Sequence, residues 1–254
     1  MDLAFDTALA DGYRSSSQQV RRMSEDWVKR NVYCPRCGRP VLTQYPNNRP
    51  AADFFCEDCR TDFELKSHRA PPAAVIPDGA YSTMLERIES SNNPSLFVLD
   101  YKGTEVTDLL VVPGYFFTAA VIEKRNPLAP TARRAGWTGC NIRIRDLPDF
   151  SRIYLIQDGV CMPKSEVVQK FQRTLAVETT RPESRGWLLD VLKCVERIPE
   201  RDFSLQQVYA FEAELQAAHP ENHFVRDKIR QQLQFLRDRG LLEFTSRGHY
   251  RRLF

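Results

Sequence analysis

Polar and apolar residues alternate from Thr61 to Lys66: Phe63 and Leu65 fall on one side, and Asp62, Glu64 and Lys66 on the other. That period of two predicts a half-buried strand, with Glu64 and Lys66 about 7 Å apart on its polar face. Upstream, Ser17 to Arg30 supplies a first helix and Pro40 to Tyr45 a first strand, and Ala51-Ala52-Asp53-Phe54-Phe55 reads as a second strand. Beyond Lys66, Pro71, Pro72 and Pro77 mark a loop. In YSTMLERIES, Met84, Leu85 and Ile88 follow helical spacing behind a Ser82 or Thr83 cap. SLFVLDY is an unbroken apolar run, as in a strand buried on both faces.

From Tyr101 to Pro163 the chain reads as strands and loops, including LLVVPGYFF, GCNIRIRDL and SRIYLI. The charged, proline- and glycine-bearing stretch Thr179 to Gly186 then divides a first unit, residues 1–181, from a second, residues 182–254. In the second unit Trp187, Leu188, Val191, Leu192, Val195 and Ile198 form one helical stripe ending before Pro199. Another follows a Ser204 cap and turns Val208, Phe211 and Leu215 inward. A third starts near Asn222, buries Phe224, Val225, Ile229, Leu233 and Leu236, and stops at Arg239-Gly240, where glycine suits the position after the cap. Leu241 to Phe244 and Tyr250 to Leu253 read as two strands around Ser246-Arg247-Gly248-His249. Three helices and a hairpin predict a winged helix.

Composition changes this picture little. The 254 residues carry 42% hydrophobic and 27% charged side chains and a net charge of +3, ordinary values for a chain with a real core. The start shows no signal-peptide pattern and no run approaches the roughly 20 apolar residues of a membrane span, so a cytoplasmic protein is expected, and a monomer in solution. Seven cysteines are present. Cys140, Cys161 and Cys194 stand alone and are expected to be small buried apolar residues. The other four form two C-x-x-C turns, Cys34 with Cys37 and Cys56 with Cys59, which in a reducing compartment point to one Zn2+ held by four thiolates. With no open coordination position, that zinc is structural.

The second pair of cysteines lies in the turn between the strands bearing Asp53 and Glu64, so a hairpin there sets the two carboxylates side by side, with Lys66 beside them. Carboxylates hold a hard cation that polarises a phosphate and lowers the pKa of water, and a lysine can orient that water or offset charge on phosphate oxygens. Read by itself, Glu64-x-Lys66 is as well explained by a solvated ion pair on a strand face. The order helix, three strands, helix, strand, with Asp53 followed by Glu64-Leu65-Lys66, resembles the PD-(D/E)XK nuclease superfamily. Ala52 stands where that pattern has proline. Pro77-Asp78 followed by Asp100-Tyr101-Lys102 supplies the proline, but the residues between read as a helix, which keeps those two acids off hairpin-paired strands.

In the winged helix the third helix would show His223, Arg226, Asp227 and Arg230 to DNA, and the wing Arg247, His249, Arg251 and Arg252, with no acid after Glu243 to offset them. The alternative for such a domain is protein contact. In Pro130 to Gly139, Arg133 and Arg134 precede Trp137, an aromatic that could pack on a base or its methyl group or instead cap the core. Zinc knuckles, Asp53 to Lys66, basic loop and winged helix together resemble, across essentially the whole chain, the type IIM methyl-directed restriction endonucleases. The resemblance implies an α/β (α+β) PD-(D/E)XK nuclease core with an inserted four-cysteine zinc site and a C-terminal winged helix. It implies a hydrolase that cuts double-stranded DNA within GATC carrying N6-methyladenine, leaving blunt ends, with both units reading the methylated site. It implies Mg2+ held by Asp53, Glu64 and the Leu65 carbonyl, with Lys66 assisting the attacking water. The competing expectation is a zinc-containing winged-helix regulator that binds DNA and does not cut it.

Overall fold

The computed structural model of the protein describes residues 1–46, 52–70, 74–90, 92–178 and 182–254, the side chains of 182 and 183 apart. Ala51, Pro71, Pro72 and Thr179 to Arg181, on which parts of the sequence reading fall, lie outside the described residues. The elements run α1 (Ser16–Asn31), β1 (Thr43–Gln44), β2 (Phe54–Phe55), β3 (Asp62–Arg69), β4 (Val75–Ala80), α2 (Tyr81–Glu89), β5 (Ser95–Lys102), β6 (Glu105–Val112), β7 (Ile122–Lys124), β8 (Gly139–Arg143), β9 (Ile153–Gln157), β10 (Val160–Cys161) and α3 (Lys164–Thr174). After these come α4 (Pro182–Glu196), β11 (Asp202–Ser204), α5 (Leu205–Tyr209), α6 (Glu212–Ala218), α7 (Val225–Asp238), β12 (Leu242–Ser246) and β13 (His249–Arg252). Helices and strands thus mix in an α/β unit that carries a helical C-terminal domain.

Among the described residues the main sheet has the order β1-β2-β3-β5-β6-β9-β10. β3 and β5 are parallel, with Glu64 opposite Leu96 and Lys66 opposite Val98; the other pairs are antiparallel. Strand β5 is the unbroken apolar run, and its alternate residues explain why. Phe97 and Leu99 pack on one side with Trp27 and Val28 of α1 and Val167 and Phe171 of α3, while Leu96 and Val98 pack on the other with Met84 and Ile88 of α2 and Ile142 of β8. A strand covered on both faces needs no polar stripe. On β3 Phe63 and Leu65 join the core on the α1 side, while Glu64 and Lys66 make ion pairs with Arg87 of α2 and Asp78 of β4.

Several expectations are corrected. The loop bearing Pro77 is strand β4, the edge of a second sheet ordered β4-β8-β7, where a proline's missing N–H costs no ladder bond. Helix α2 starts at Tyr81 with Ala80 at the N-cap, two residues ahead of Ser82 and three ahead of Thr83. Helix α3 was not read from the sequence. Helix α4 begins at Pro182, inside the expected linker Thr179 to Gly186, proline being favoured in the first helical position. Cys140 and Cys194 are buried as expected, but Cys161 is exposed.

In the C-terminal domain Ser204 caps α5 with a capping box to Gln207, and Gly240 follows α7 at a φ of 73°. Val208, Leu215, Val225, Ile229, Leu233 and Leu236 form its core. The expected second helix is two, α5 and α6, with Phe211 at the break. A short strand, β11, joins the wing in the order β11-β13-β12. Phe224 is the clearest correction: it precedes α7 with 73% of its surface exposed, not buried.

Candidate active site and metal centre

Each C-x-x-C turn closes by the same pair of backbone bonds. Gly38 N–H donates to Cys34 C=O and Arg60 N–H to Cys56 C=O, while Cys34 and Cys56 N–H donate to Arg39 and Thr61 C=O. The residue after each turn is left-handed, Gly38 at φ 80° and Arg60 at 60°. Glycine adopts that conformation without strain; an arginine there costs about 1 kcal/mol, so the geometry of the second turn is imposed on it. The two turns bring four sulfurs together, Cys34 to Cys59 at 3.6 Å and Cys37 to Cys56 at 3.5 Å, with all four ligand atoms within 4.8 Å of one another. Four thiolates about 2.3 Å from one zinc would stand roughly 3.8 Å apart, so the cluster fits that ion. Burial pushes the Cys34 and Cys56 thiols up; at Cys59 burial acts the same way but is outweighed by hydrogen bonds from Thr61. Such thiols stay ionised together only around a cation.

The second knuckle is the turn of the β2-β3 hairpin, with Phe54 paired to Phe63 and Phe55 to Asp62. Asp53, one residue before β2, extends the pairing: its N–H donates to Phe63 C=O, its C=O accepts from Tyr45 N–H, and its Oδ2 accepts from Leu65 N–H at 2.8 Å. Tyr45 stacks on Phe55 at 4.4 Å and donates to Asp62, holding β1 to the hairpin from outside. The cysteine cluster and this packing therefore set Asp53 against the backbone of β3 between Glu64 and Lys66.

Asp53, Glu64, Leu65 and Lys66 line one open cleft of about 490 Å³ together with Ser16, Ser17, Val20, Arg21, Ser24 and Glu25 of α1. Lys66 Nζ lies 2.7 Å from Glu64 Oε1 and 2.6 Å from Asp78 Oδ1 of β4, and Arg87 of α2 is 4.0 Å from Glu64 Oε2. Burial raises Glu64 above the ordinary carboxylate range, the Lys66 ammonium opposing it and the Asp78 and Asp53 charges adding to it. At Asp78 burial also acts upward, but the Lys66 ammonium outweighs it and holds the group below its usual value. Burial acts to lower Lys66, and the two carboxylates outweigh it, so the lysine is held charged. Asp53 and Glu64, with the Leu65 carbonyl between them in sequence, are hard oxygen donors of the kind Mg2+ takes, and an added cation would relieve the mutual repulsion of these acids.

The rival pair is separated. Asp78 is spent on Lys66, while Asp100 lies on β5 opposite His68 and Asp108. Asp100 is pushed up to about 6 by burial and by the neighbouring Asp108, and among the described residues its Oδ1 has no hydrogen-bond partner. Sequence reasoning considered Asp78 only within that rival pattern and missed its place as counter-ion. It also missed Arg21 and Glu25, whose signal was a carboxylate one turn ahead of the buried stripe at Trp27 and Val28.

The remaining predicted residues occupy two further places. Arg133 and Arg134 are exposed on the loop before β8, and the Arg134 guanidinium lies 4.6 Å over the half-buried Trp137 ring. Trp137 covers Gly139, where a Cβ would meet the indole at 2.9 Å. In the C-terminal domain His223 lies just ahead of α7, and Arg226, Asp227 and Arg230 are exposed along its first turns. Arg226 pairs with Glu212 at 2.8 Å, and Arg230 with Asp227 and the Tyr209 hydroxyl. Arg247 and His249 are exposed on the wing. Arg251 is not unopposed as the sequence suggested: it pairs with Asp202 at 2.7 Å and approaches Glu243 at 3.6 Å. Arg252 turns inward to the carbonyls of Val195, Glu196 and Ile198, a cap on the end of α4.

Residues 1–180 match the model of the DpnI family, described as the Dam-replacing family, and residues 183–252 match the Dam-replacing HTH domain. The chain belongs to the Dam-replacing family. That membership supports a methylation-dependent restriction endonuclease with a C-terminal DNA-binding HTH domain. No helix among the described residues of this Dam-replacing protein is long and apolar enough to cross a membrane.

Proposed function

We propose that the protein cuts double-stranded DNA by magnesium-dependent phosphodiester hydrolysis within GATC sites bearing N6-methyladenine, leaving blunt ends. The sequence preference and blunt outcome rest on the family resemblance. The hydrolytic assignment rests on one observation: Asp53, Glu64 and Lys66 line one open cleft on a hairpin whose turn supplies two of the four clustered cysteines. Mg2+ held by Asp53, Glu64 and the Leu65 carbonyl would polarise the scissile phosphate and make bound water acidic.

The chain's own residues do the rest. The Leu65 N–H fixes the rotamer of Asp53 so that its second oxygen stays available. With Glu64 engaged by a cation, Lys66 would keep Asp78 as counter-ion, and its ammonium would be placed to orient the attacking water or offset charge on a phosphate oxygen. Residues 1–181 act as the catalytic unit and residues 182–254 as a second reading unit. In the first, Arg133 and Arg134 offer charge to phosphates and Trp137 an apolar face to the base methyl group. In the second, His223, Arg226, Asp227 and Arg230 enter the major groove while Arg247, His249 and Arg251 follow the backbone. A buried methyl contributes only about 1 kcal/mol, so reading the site in both units sharpens discrimination.

The test is incubation of purified protein and Mg2+ with plasmid from adenine-methylating and non-methylating hosts, alongside Asp53→Ala and Lys66→Ala. Cutting of methylated plasmid only, lost in both variants with binding retained, is expected. Methyl-dependent binding without cutting by the unaltered protein would return it to the class of regulators.

A further inference from the structure

Helix α1 uses one face for two purposes along its length. Toward its C-terminal end Trp27 and Val28 pack into the core under the main sheet, whereas nearer its N-terminus Ser17, Val20, Arg21, Ser24 and Glu25 line the same cleft as Asp53, Glu64 and Lys66. These five fall at i, i+3, i+4, i+7 and i+8, one continuous stripe of a helix. Within it Glu25 is almost wholly buried and fully occupied: one oxygen takes the Arg21 Nε–H at 2.6 Å and the other the Gln44 amide at 3.2 Å. Glu25 is therefore an anchor rather than a ligand in waiting. Arg21 has a 55% exposed side chain, and among the described residues its two terminal nitrogens make no hydrogen bond.

Two cations line the cleft, Arg21 and Lys66. Lys66 is already bonded to two carboxylates. Arg21 is the one with donors to spare, and its charge is felt together with that of Asp53. A phosphodiester entering between three acids needs a cation with unspent donors, and a guanidinium held by its Nε offers two parallel N–H groups that match two phosphate oxygens.

We propose that Arg21 binds the DNA phosphate presented to the candidate catalytic acids, and that Glu25, anchored by Gln44, is the residue that positions it. The inference rests on the nuclease reading of the cleft.

The experiment uses the full-length protein and a short methylated GATC duplex. Affinity is measured against NaCl with Ca2+ in place of Mg2+, and single-turnover cleavage is measured with Mg2+. For Arg21→Ala the slope of log affinity against log salt should become shallower by about 0.9, the signature of one lost phosphate contact. The cleavage rate should fall about 100-fold, the loss typical of one donor to a charged transition state. Arg21→Lys keeps the charge and should restore the slope but not the rate, while Glu25→Gln should leave the slope unchanged and slow cleavage about tenfold. Thermal midpoint and zinc content verify folding, and Arg21→Gln replaces the alanine variant if that one does not fold. An unchanged salt slope in the folded Arg21 variant overturns the phosphate contact. If the unaltered protein cuts nothing and Arg21→Ala still loses one unit of slope, the contact stands and the nuclease reading falls.

Discussion

Replacing Lys66 by methionine keeps the side-chain length and removes the ammonium shared by Glu64 and Asp78. At 2.7 and 2.6 Å, and with an effective dielectric of about 20, each contact is worth roughly 6 kcal/mol before desolvation is subtracted. The net cost of orphaning buried charges is smaller, about 3 kcal/mol, because the carboxylates can rearrange or take up protons. With a urea slope of about 3 kcal/mol per M, the midpoint should move down by about 1 M at pH 7.5 without divalent cation. The pH dependence carries the diagnosis. In the unaltered protein Asp78 sits below its usual value, so its contribution is fully present above pH 4 and is lost only as pH falls through the lowered pKa. In Lys66→Met Asp78 rises above its unfolded value and Glu64, already raised in the unaltered protein, rises further, so the folded variant binds more protons than the folded parent and gains more stability as pH falls from 7.5 toward 5. The gap should shrink by half or more across that range. A gap below 1 kcal/mol, or one that does not change with pH, would refute the triad as the dominant charge arrangement of the cleft.

Four other outcomes are expected. Cys37→Ser should lower the bound zinc measured by elemental analysis and reduce the thermal midpoint; full zinc and an unchanged midpoint would remove the cluster from its structural role. Trp137→Ala should reduce the preference for methylated over unmethylated plasmid about fourfold, the value of one buried methyl, and an unchanged cleavage ratio would make the indole a packing residue. Asp100→Asn should stabilise the protein at pH 7 by about 1 kcal/mol or more, and should flatten the decline in stability that the parent shows between pH 4 and 6, where the folded state holds the extra proton; a less stable variant at pH 7 would contradict the unfavourable pairing with Asp108. Phe224→Ser should change stability by under about 0.5 kcal/mol in urea, against 2–5 kcal/mol for Leu233→Ala, and a larger loss would mean that Phe224 is packed.

Where one periodicity governed a segment, the sequence was readable. The alternation from Thr61 to Lys66 became β3 with Glu64 and Lys66 on one face, and the apolar run at Ser95 became a strand covered on both sides. The two C-x-x-C turns closed into one cluster because their ligand spacing is itself the physical requirement. What escaped depended on partners distant in the chain. Pro77 lies in a strand only because β8 supplies the ladder, and Asp78 matters because that strand passes over Lys66. Phe224 adjoins the stripe of Val225, Ile229, Leu233 and Leu236 but falls off its spacing, and α7 starts one residue later and leaves it outside. Arg251 and Arg252 are adjacent basic residues that alternate across β13, so one meets Asp202 and the other the end of α4.

Asp78 gives the lysine a second seat. If Glu64 were drawn to a divalent ion, Asp78 would still hold the ammonium at 2.6 Å, so uptake of a metal would be an exchange of partners among groups that are already in place.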